Sequence, residues 1–300
     1  MSEHGSHLAA EVAGQPDDWA AVLSRTDEAR AALPRPGQRV AVIGCGTSWF
    51  IAQAYAALRE DLGQGPSDAY TASEHRLGRG YDHVVLISRS GTTTEVLSVL
   101  DRVRADGTAH VAFVATAGTP LAEQAERTVL LPEVDERSVV QTRFATTTLA
   151  LLRSSLGQDL APVIDQARDL LAEDEQRALA ALLDAEQITF LGRGWSIGLA
   201  HEAALKLRES TQAWAESYPA MDYRHGPISI AGAGRAVWSL GPLPDGLTEQ
   251  VRATGAHLEH RPIDPMADLV RVHRLCLARA RRAGLDPDRP RHLTRSIVLA

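Results

Sequence analysis

Short apolar runs alternate along the chain with longer stretches that have helical spacing. The most regular example is residues 82–100, DHVVLISRSGTTTEVLSVL. Residues 83–87 have the continuous β-branched character of a buried parallel strand, and from Thr94 the apolar residues return at helical intervals. The same order recurs at residues 39–59 and 188–210, each time with glycines between strand and helix. Repeated strand, turn and helix predict an α/β protein.

Two successive α/β units fit two doubly wound parallel-sheet domains in tandem better than one long sheet. A helix is expected over residues 17–33, after EVAGQP and before the proline-rich LPRPGQ. The predicted organisation is an N-terminal helical arm (1–37), a first domain (38–155), a helical linker (156–185), a second domain (186–285) and a C-terminal tail (286–300).

The turn between the strand and the helix of residues 83–100 is rich in hydrogen-bond donors, among them Ser88, Arg89, Ser90 and Thr93. A helix N-terminus exposes backbone N–H groups where the dipole favours an anion, and hydroxyls with a guanidinium suit phosphate oxygens. Serine and threonine are also ordinary helix caps. A cap needs one hydroxyl, whereas this turn offers four beside an arginine, so the sequence favours phosphate binding.

A second strand-to-helix turn, GCGTS at residues 44–48, is another potential anion-binding site. The dinucleotide pattern G-x-G-x-x-G fails there because position 49 is tryptophan, so we expect no nicotinamide site. Cys45 and Cys276 lie far apart in apolar surroundings, which indicates buried packing and neither a disulfide framework nor a metal site. We therefore expect neither a cofactor nor a metal.

Composition narrows the classes of partner. A hydrophobic content of 44% over 300 residues suits a soluble protein with a large core. The net charge of -7 provides no basic surface for a nucleic-acid backbone. The chain has no apolar run of about 18 residues and no basic-then-apolar leader. We expect a cytoplasmic protein that binds neither nucleic acid nor membrane.

A single lysine, Lys206, stands among 31 basic residues. Arginine replaces lysine as a solvated charge, but it supplies no titratable amine and no compact ammonium. Lys206 and Glu209 are three apart and share a helix face, as do Glu202 and Lys206 at a spacing of four. From the residues alone, solvated surface ion pairs and a functional cluster both remain open.

SRSGTTTEV, EAALKLRE and HGP together resemble the motifs of the SIS (sugar isomerase) domain family. The resemblance runs from EVAGQP to the C-terminal tail and implies two SIS domains in tandem that bind a phosphorylated sugar. It also implies that Thr47 and Ser48, within GTS, contact the sugar and that Val139 lends backbone contacts. In synthase-type members of the family the HGP histidine reaches the active site of a neighbouring subunit, which implies a homodimer with composite sites.

The resemblance further implies that Lys206, Glu209 and His225 are catalytic, His225 following Glu209 by sixteen residues. These residue types suit aldose–ketose interconversion. A partly desolvated carboxylate such as Glu209 can move a proton between C1 and C2. The imidazole of His225 can pass a proton during ring opening, and Lys206 can stabilise the enediolate oxygen.

The tail GLDPDRPRHLTRSIVL resembles the segment that covers the sugar in this family, so the resemblance implies that Arg295 contacts the substrate, but the chain departs from the family pattern at this position. Relatives that assemble amino sugars have a lysine there that can form an imine, which a guanidinium does not. Only 38 residues precede the first predicted strand, with no N-terminal cysteine nucleophile, so we expect no glutaminase domain and no amide-nitrogen transfer.

The expected function is that of an amino-sugar phosphate isomerase or deaminase, for example one that converts galactosamine- or glucosamine-6-phosphate to a ketose phosphate and ammonia. Two alternatives stay open. One is a fructosamine-6-phosphate deglycase, and the other is a phosphosugar-binding sensor without turnover. Loss of Glu209 or His225 would mark a sensor, and both residues are present.

Overall fold

The structure is a computed structural model that describes residues 4–299. These residues form two compact units, each discontinuous along the chain. One unit consists of Asp17–Glu136, Arg143–Leu160 and the residues from Thr294 onward. The other consists of the residues up to Pro16 together with Arg137–Thr142 and Ala161–Leu293. After their sheets, we refer to them as the five-strand unit and the four-strand unit.

The five-strand unit is a parallel sheet with helices packed on it. Its strands are β1 Val40–Gly44, β2 Ser67–Thr71, β3 His83–Ser88, β4 Ala109–Val114 and β5 Arg127–Leu130, in the order β2-β1-β3-β4-β5. Its helices are α2 Thr26–Ala32, α3 Thr47–Asp61, α4 Thr94–Ala105, α5 Pro120–Gln124 and α6 Arg143–Ser155. Every residue of β1 and β3 is buried, as continuous apolar strands require.

The four-strand unit repeats this topology with one strand fewer. Its strands are β6 Gln187–Gly192, β7 Trp214–Pro219, β8 Arg235–Leu240 and β9 His257–His260, all parallel, in the order β7-β6-β8-β9. Its helices are α7 Ala161–Ala172, α8 Glu175–Leu183, α9 Ser196–Thr211, α10 Leu247–Ala253 and α11 Pro265–Arg282. Helix α9 contacts β6, β7 and α11, so most of its circumference is buried. The prediction of an α/β protein with parallel sheets is confirmed.

The N-terminal helix differs from its prediction. Helix α1 runs from Ser6 to Val22 and passes through Pro16, whereas the sequence predicted a helix that starts at residue 17. A proline removes one backbone donor and usually ends a helix. Burial outweighs that cost here because Leu8, Val12 and Trp19 are all at most 2% exposed. A 3₁₀ turn, Leu23–Arg25, separates α1 from α2, so the predicted helix is also not continuous.

Strands β2 and β7 were not predicted. Their sequences, SDAYT and WAESYP, are mixed in polarity, and each lies at the edge of its sheet, where one side is left open. Helices α7 and α8, predicted as a linker, lie within the four-strand unit. The predicted domain bounds stay predictions. Within residues 4–299, no helix is both long enough and apolar enough to cross a membrane.

Candidate active site

The residues predicted to bind sugar and phosphate follow two neighbouring strands of the five-strand unit. The strand order reverses between β1 and β3, and ligands of open α/β sheets bind beyond the carboxyl ends of the strands at such a point. Thr47 and Ser48 open α3 directly after β1. Ser88 ends β3, and Ser90 and Thr93 lie in the turn before α4. These five side chains therefore share one edge of the sheet.

Gly91 gives the β3–α4 turn its shape. Its φ is +65°, which favours glycine, and a Cβ atom there would lie 2.1 Å from Thr119 Oγ1. The turn is held by its own side chains, because the N–H of Gly91 donates to Ser88 Oγ at 3.2 Å and that of Thr92 to Ser90 Oγ at 3.3 Å. The hydroxyls are thus fixed around the N-terminus of α4.

Residues 294–299, which we call the strap, lie along this turn within the same unit. Ser296 Oγ accepts hydrogen bonds from the hydroxyls of Ser90, at 3.1 Å, and Thr92, at 2.9 Å. The N–H of Thr94 donates to the carbonyl of Ile297 at 3.1 Å. No sequence signal predicted these contacts, because a serine in a tail has no characteristic spacing to a distant loop.

The two arginines predicted to bind substrate both face carboxylates. The buried Arg89 side chain lies 3.6 Å from Glu136 Oε2 and donates to the carbonyl of Arg295 at 3.2 Å. Arg295 itself forms an ion pair with Asp135 and donates to the carbonyl of Glu136. Their roles as substrate contacts stay predictions, and part of the positive charge near the turn is balanced by acidic partners.

In the four-strand unit, α9 brings Lys206 and Glu209 together. Lys206 Nζ lies 2.5 Å from Glu209 Oε2 and 3.6 Å from Glu202 Oε1. Lys206 and Glu202 are each 1% exposed, so neither pair involving the lysine is a solvated surface pair. The helix sequence AHEAALKLRES explains the burial, since small and apolar residues flank the charges on the sides that face β6 and α11. The alternative of two exposed ion pairs is wrong, and Glu202 joins the cluster.

Two further titratable groups near Lys206, His273 and Cys276, are buried. His273 on α11 is 1% exposed and shares a hydrogen bond of 3.1 Å with Gln15 Nε2. Burial, assisted by the charge of Lys206, lowers the pKa of His273 to about 3. Burial also raises the pKa of the Cys276 thiol to about 12, although the charge of Lys206 opposes that shift. Both groups are therefore uncharged near neutral pH. The prediction of buried cysteines is confirmed for Cys276, whereas Cys45 is only partly buried.

Glu209 reaches the surface of its unit at a cavity of about 340 Å³. Its side chain is 18% exposed, against 1% for that of Lys206, so the carboxylate is the member of the pair that a ligand can reach. Arg208, Gln212 and His292 also line this cavity. Gln212 and His292 have φ of +57° and +64°, the two non-glycine residues with positive φ in the part of the chain described.

His225 lies at the end of a 3₁₀ turn, Asp222–His225, and is exposed. Among the described residues its side chain makes neither a hydrogen bond nor an ion pair, so it has no polar contact with Lys206 or Glu209. The prediction that these three residues act together in catalysis stays a prediction.

Val139 belongs to the four-strand unit, and its N–H donates to the carbonyl of Asp288 at 3.1 Å. Glu11 positions this segment, because its buried carboxylate accepts from Arg137 N at 2.6 Å and from Ser138 Oγ at 2.5 Å. Glu11 is the glutamate of EVAGQP, to which the sequence analysis gave no role. Backbone contact of Val139 with a sugar stays a prediction.

Comparison with known proteins finds one family model that matches part of the chain. The sequence model of the SIS domain family matches residues 35–156, which contain the whole of β1–β5. The chain is 26% identical over 348 residues to glutamine–fructose-6-phosphate aminotransferase (isomerizing) of Methanothermobacter thermautotrophicus, covering 100% of this chain and 59% of that protein. It is 28% identical to the enzyme of the same name from Thermus thermophilus, over 89% of this chain and 53% of that protein. The chain therefore spans little more than half of these relatives.

Solved structures show that the fold extends over nearly the whole chain. Glucosamine-6-phosphate deaminase of Thermotoga maritima matches with a TM-score of 0.80 at 22% identity, over 98% of this chain and 100% of that one. Tagatose-6-phosphate ketose/aldose isomerase of Escherichia coli matches with a TM-score of 0.77 at 19% identity, over 98% and 96%. At these identities the similarity establishes the fold, an α/β fold with parallel sheets, and leaves the reaction open.

Proposed function

We propose that the chain is an isomerase or deaminase of amino-sugar phosphates, built from two SIS domains in tandem. The second SIS domain would be the four-strand unit, whose order β7-β6-β8-β9 repeats the order β2-β1-β3-β4. Relatives named as acting on fructose-6-phosphate, glucosamine-6-phosphate and tagatose-6-phosphate support a phosphorylated sugar as the substrate.

The observation that carries the proposal is the buried Lys206 between two carboxylates on α9. A buried ion pair contributes little to stability on average, because desolvation offsets the Coulomb attraction, so stability alone explains the cluster poorly. One of the two carboxylates, that of Glu209, also opens onto a cavity. A carboxylate that is partly desolvated, held by an ammonium and accessible to a ligand suits a base that removes a proton from carbon.

Proton transfer by Glu209 between C1 and C2 would interconvert the aldose and ketose forms. Lys206, held 2.5 Å from Glu209, would stabilise the negative charge that develops on the enediolate oxygen. If C2 carries nitrogen, the same proton transfer gives an enolamine, which becomes the imine of the ketose and loses ammonia on hydrolysis. The turn of Ser88, Ser90 and Thr93 would hold the phosphate through hydroxyls and the N-terminus of α4.

His225 would act in ring opening from a second copy of the chain, in a homodimer with composite sites. Its exposed position and its lack of polar contacts with Lys206 and Glu209 support an arrangement in which the histidine serves another subunit. A cytoplasmic location is part of the same proposal.

The deciding assay measures ammonia and ketose phosphate released from a panel of amino-sugar phosphates and fructosamine phosphates. We expect release from an amino-sugar phosphate, and Glu209→Gln to reduce the rate by about 10²- to 10⁴-fold, the usual contribution of a general base. Glu249→Gln, which alters an exposed glutamate on α10, is the matched control and should keep full activity. Turnover of fructosamine phosphates alone would identify a deglycase. Phosphosugar binding without any turnover would identify a sensor.

A further inference from the structure

The strap places three oxygen atoms where the β3–α4 turn presents donors. Ser296 Oγ receives the hydroxyl hydrogens of Ser90 and Thr92. The carbonyl of Ile297 receives the N–H of Thr94, the first residue of α4. The carbonyl of Arg295 receives a guanidinium N–H of Arg89, at 3.2 Å. Hydroxyls, a helix N-terminal N–H and a guanidinium are the donors that phosphate oxygens use.

These donors cannot serve two acceptors at once. A hydroxyl has one hydrogen to donate, and so does a backbone N–H. While Ser296 accepts from Ser90 and Thr92, and Ile297 accepts from Thr94, a phosphate cannot take the same hydrogen bonds. The carbonyl of Ile297 is an acceptor only, so a phosphate beside it would meet lone pairs and not a donor. The closed strap and a phosphate in this turn therefore exclude each other.

Detaching residues 297–299 of the strap from the turn costs little free energy. Ile297 and Val298 are 50% and 70% exposed, so detaching them from the turn uncovers little apolar surface. Arg295, by contrast, is fixed by its ion pair with Asp135 at the start of the segment. The strap can therefore leave the turn while it stays attached at Arg295.

We propose that residues 296–299 are an internal competitor of phosphate. In the free protein, Ser296 and Ile297 occupy the anion-binding site of the β3–α4 turn, and they must dissociate from it before a phosphate monoester binds. This inference rests on the proposed function, since it takes the β3–α4 turn as the phosphate site. Competition of this kind divides the intrinsic dissociation constant by the fraction of molecules in which the phosphate site is open, which raises the apparent dissociation constant. A strap that is closed in about nine molecules of ten weakens phosphate binding about tenfold.

The test is calorimetric titration of the full chain with inorganic phosphate at constant ionic strength. Deletion of residues 296–300 should lower the dissociation constant on the order of tenfold, which corresponds to about 1.4 kcal/mol. Ser296→Ala, which removes only the shared oxygen, should lower the constant in the same direction by a smaller factor. Val298→Ala is the matched control, since Val298 is exposed and has no hydrogen bond to the turn, and it should leave the constant unchanged.

A second readout follows the strap itself. A carboxypeptidase removes residues one at a time from the C-terminus, so the rate at which residues 296–299 are released reports how often the strap is open. Phosphate should accelerate this release in the full chain, with potassium chloride of equal ionic strength as the control. Phosphate that slows the release, or that binds no more tightly to the deleted chain, would overturn the proposal.

The possible results distinguish failure of the strap proposal from failure of the proposed phosphate site. Ser90→Ala should weaken phosphate binding in the deleted chain, because it removes a hydrogen bond to the anion itself, and should weaken it less in the full chain, where it also removes a bond that holds the strap closed. Binding that responds to Ser90→Ala but not to the deletion overturns the strap alone. Failure of both chains to bind phosphate overturns the phosphate site and the strap together.

Discussion

Lys206 is the only side-chain amine of the chain, and its surroundings decide what it can do. Two carboxylates lie within 3.6 Å of its nitrogen, and opposite charges at this distance stabilise the ammonium form. An amine must be neutral to attack a carbonyl. The lysine is thus arranged to bind an oxygen and not to form an imine.

We therefore predict that no imine forms at Lys206. Treatment with fructose-6-phosphate and borohydride, followed by mass spectrometry of the protein and its peptides, should show no sugar-sized adduct on this residue. The N-terminal amine provides an internal reference, since any non-specific adduct will appear there. An adduct mapped to Lys206 would make the lysine the nucleophile and overturn the enediolate route.

His273 predicts a dependence of stability on pH. Its folded-state pKa of about 3 lies below the ordinary value of 6.5, so between these values the unfolded chain binds a proton that the folded chain does not. The contribution of this group to the free energy of unfolding is fully present above pH 6.5. It is lost as the pH falls toward 3, at up to about 1.4 kcal/mol per pH unit.

The measurement compares urea unfolding of the wild type and His273→Gln between pH 4.5 and 7. Glutamine can keep a hydrogen bond to Gln15 but does not titrate, so the variant should lose stability less steeply on acidification. The control is His260→Gln, at a partly exposed histidine of β9 whose side chain makes no hydrogen bond. Its unfolding free energy should change with pH as that of the wild type does. Equal slopes for all three proteins would contradict the assignment of acid sensitivity to His273.

At the scale of elements, the β3–α4 turn depends on one glycine. Gly91→Ala combines a positive φ with a Cβ that would meet Thr119 Oγ1 at 2.1 Å. We expect it to cost about 2–5 kcal/mol of unfolding free energy and to weaken phosphate binding, because strain and overpacking add. Urea unfolding and phosphate calorimetry measure the two effects.

Gly118→Ala is the matched control for this prediction. Gly118 has a similar φ of +68°, but a Cβ there would meet no atom within 4 Å. It should cost only the conformational part, about 1–2 kcal/mol, and leave phosphate binding intact. If the two variants behaved alike, contact with Thr119 would have no part in shaping the turn.

Elements that are apolar throughout or regular in period were predictable from the sequence. The run HVVLIS became β3, and the spacing that starts at Thr94 became α4, because local pattern and tertiary burial agree there. Pro16 and the edge strands β2 and β7 show the opposite case. Pro16 signals a helix end, and the mixed polarity of β2 and β7 signals a loop, but packing on the rest of each unit overrides both signals.

The candidate site likewise has features that the sequence predicts and features that it does not. The spacing of three between Lys206 and Glu209 placed both on one face of α9, and the structure brings them into contact. Spacing could not reveal their burial, since the same residues would form a solvated pair on an exposed helix. The contacts of Glu11, His273 and Ser296 join segments that are distant in sequence, and no local pattern encodes them.

At the scale of the whole molecule, the proposed homodimer makes a prediction about mixtures. Glu209→Gln and His225→Ala proteins should each be inactive, and a mixture that has exchanged subunits should regain part of the activity. Hybrid dimers would contain one site with both native residues. Activity is followed as ketose phosphate release, and differently tagged subunits confirm the exchange. A mixture that stays inactive after confirmed exchange would place both residues of a site in one chain.

The discontinuity of the four-strand unit has a consequence for the chain as it leaves the ribosome. Leu8 N–H bonds to Asp288, 280 residues later, and Gln15 bonds to His273, 258 residues later. At a synthesis rate of about 5–20 residues per second, the first residues wait tens of seconds for these partners. Throughout that time the apolar face of α1 around Leu8 and Val12 stays uncovered, available to chaperones or to neighbouring nascent chains. Helix α1 is therefore made long before the segments on which it packs.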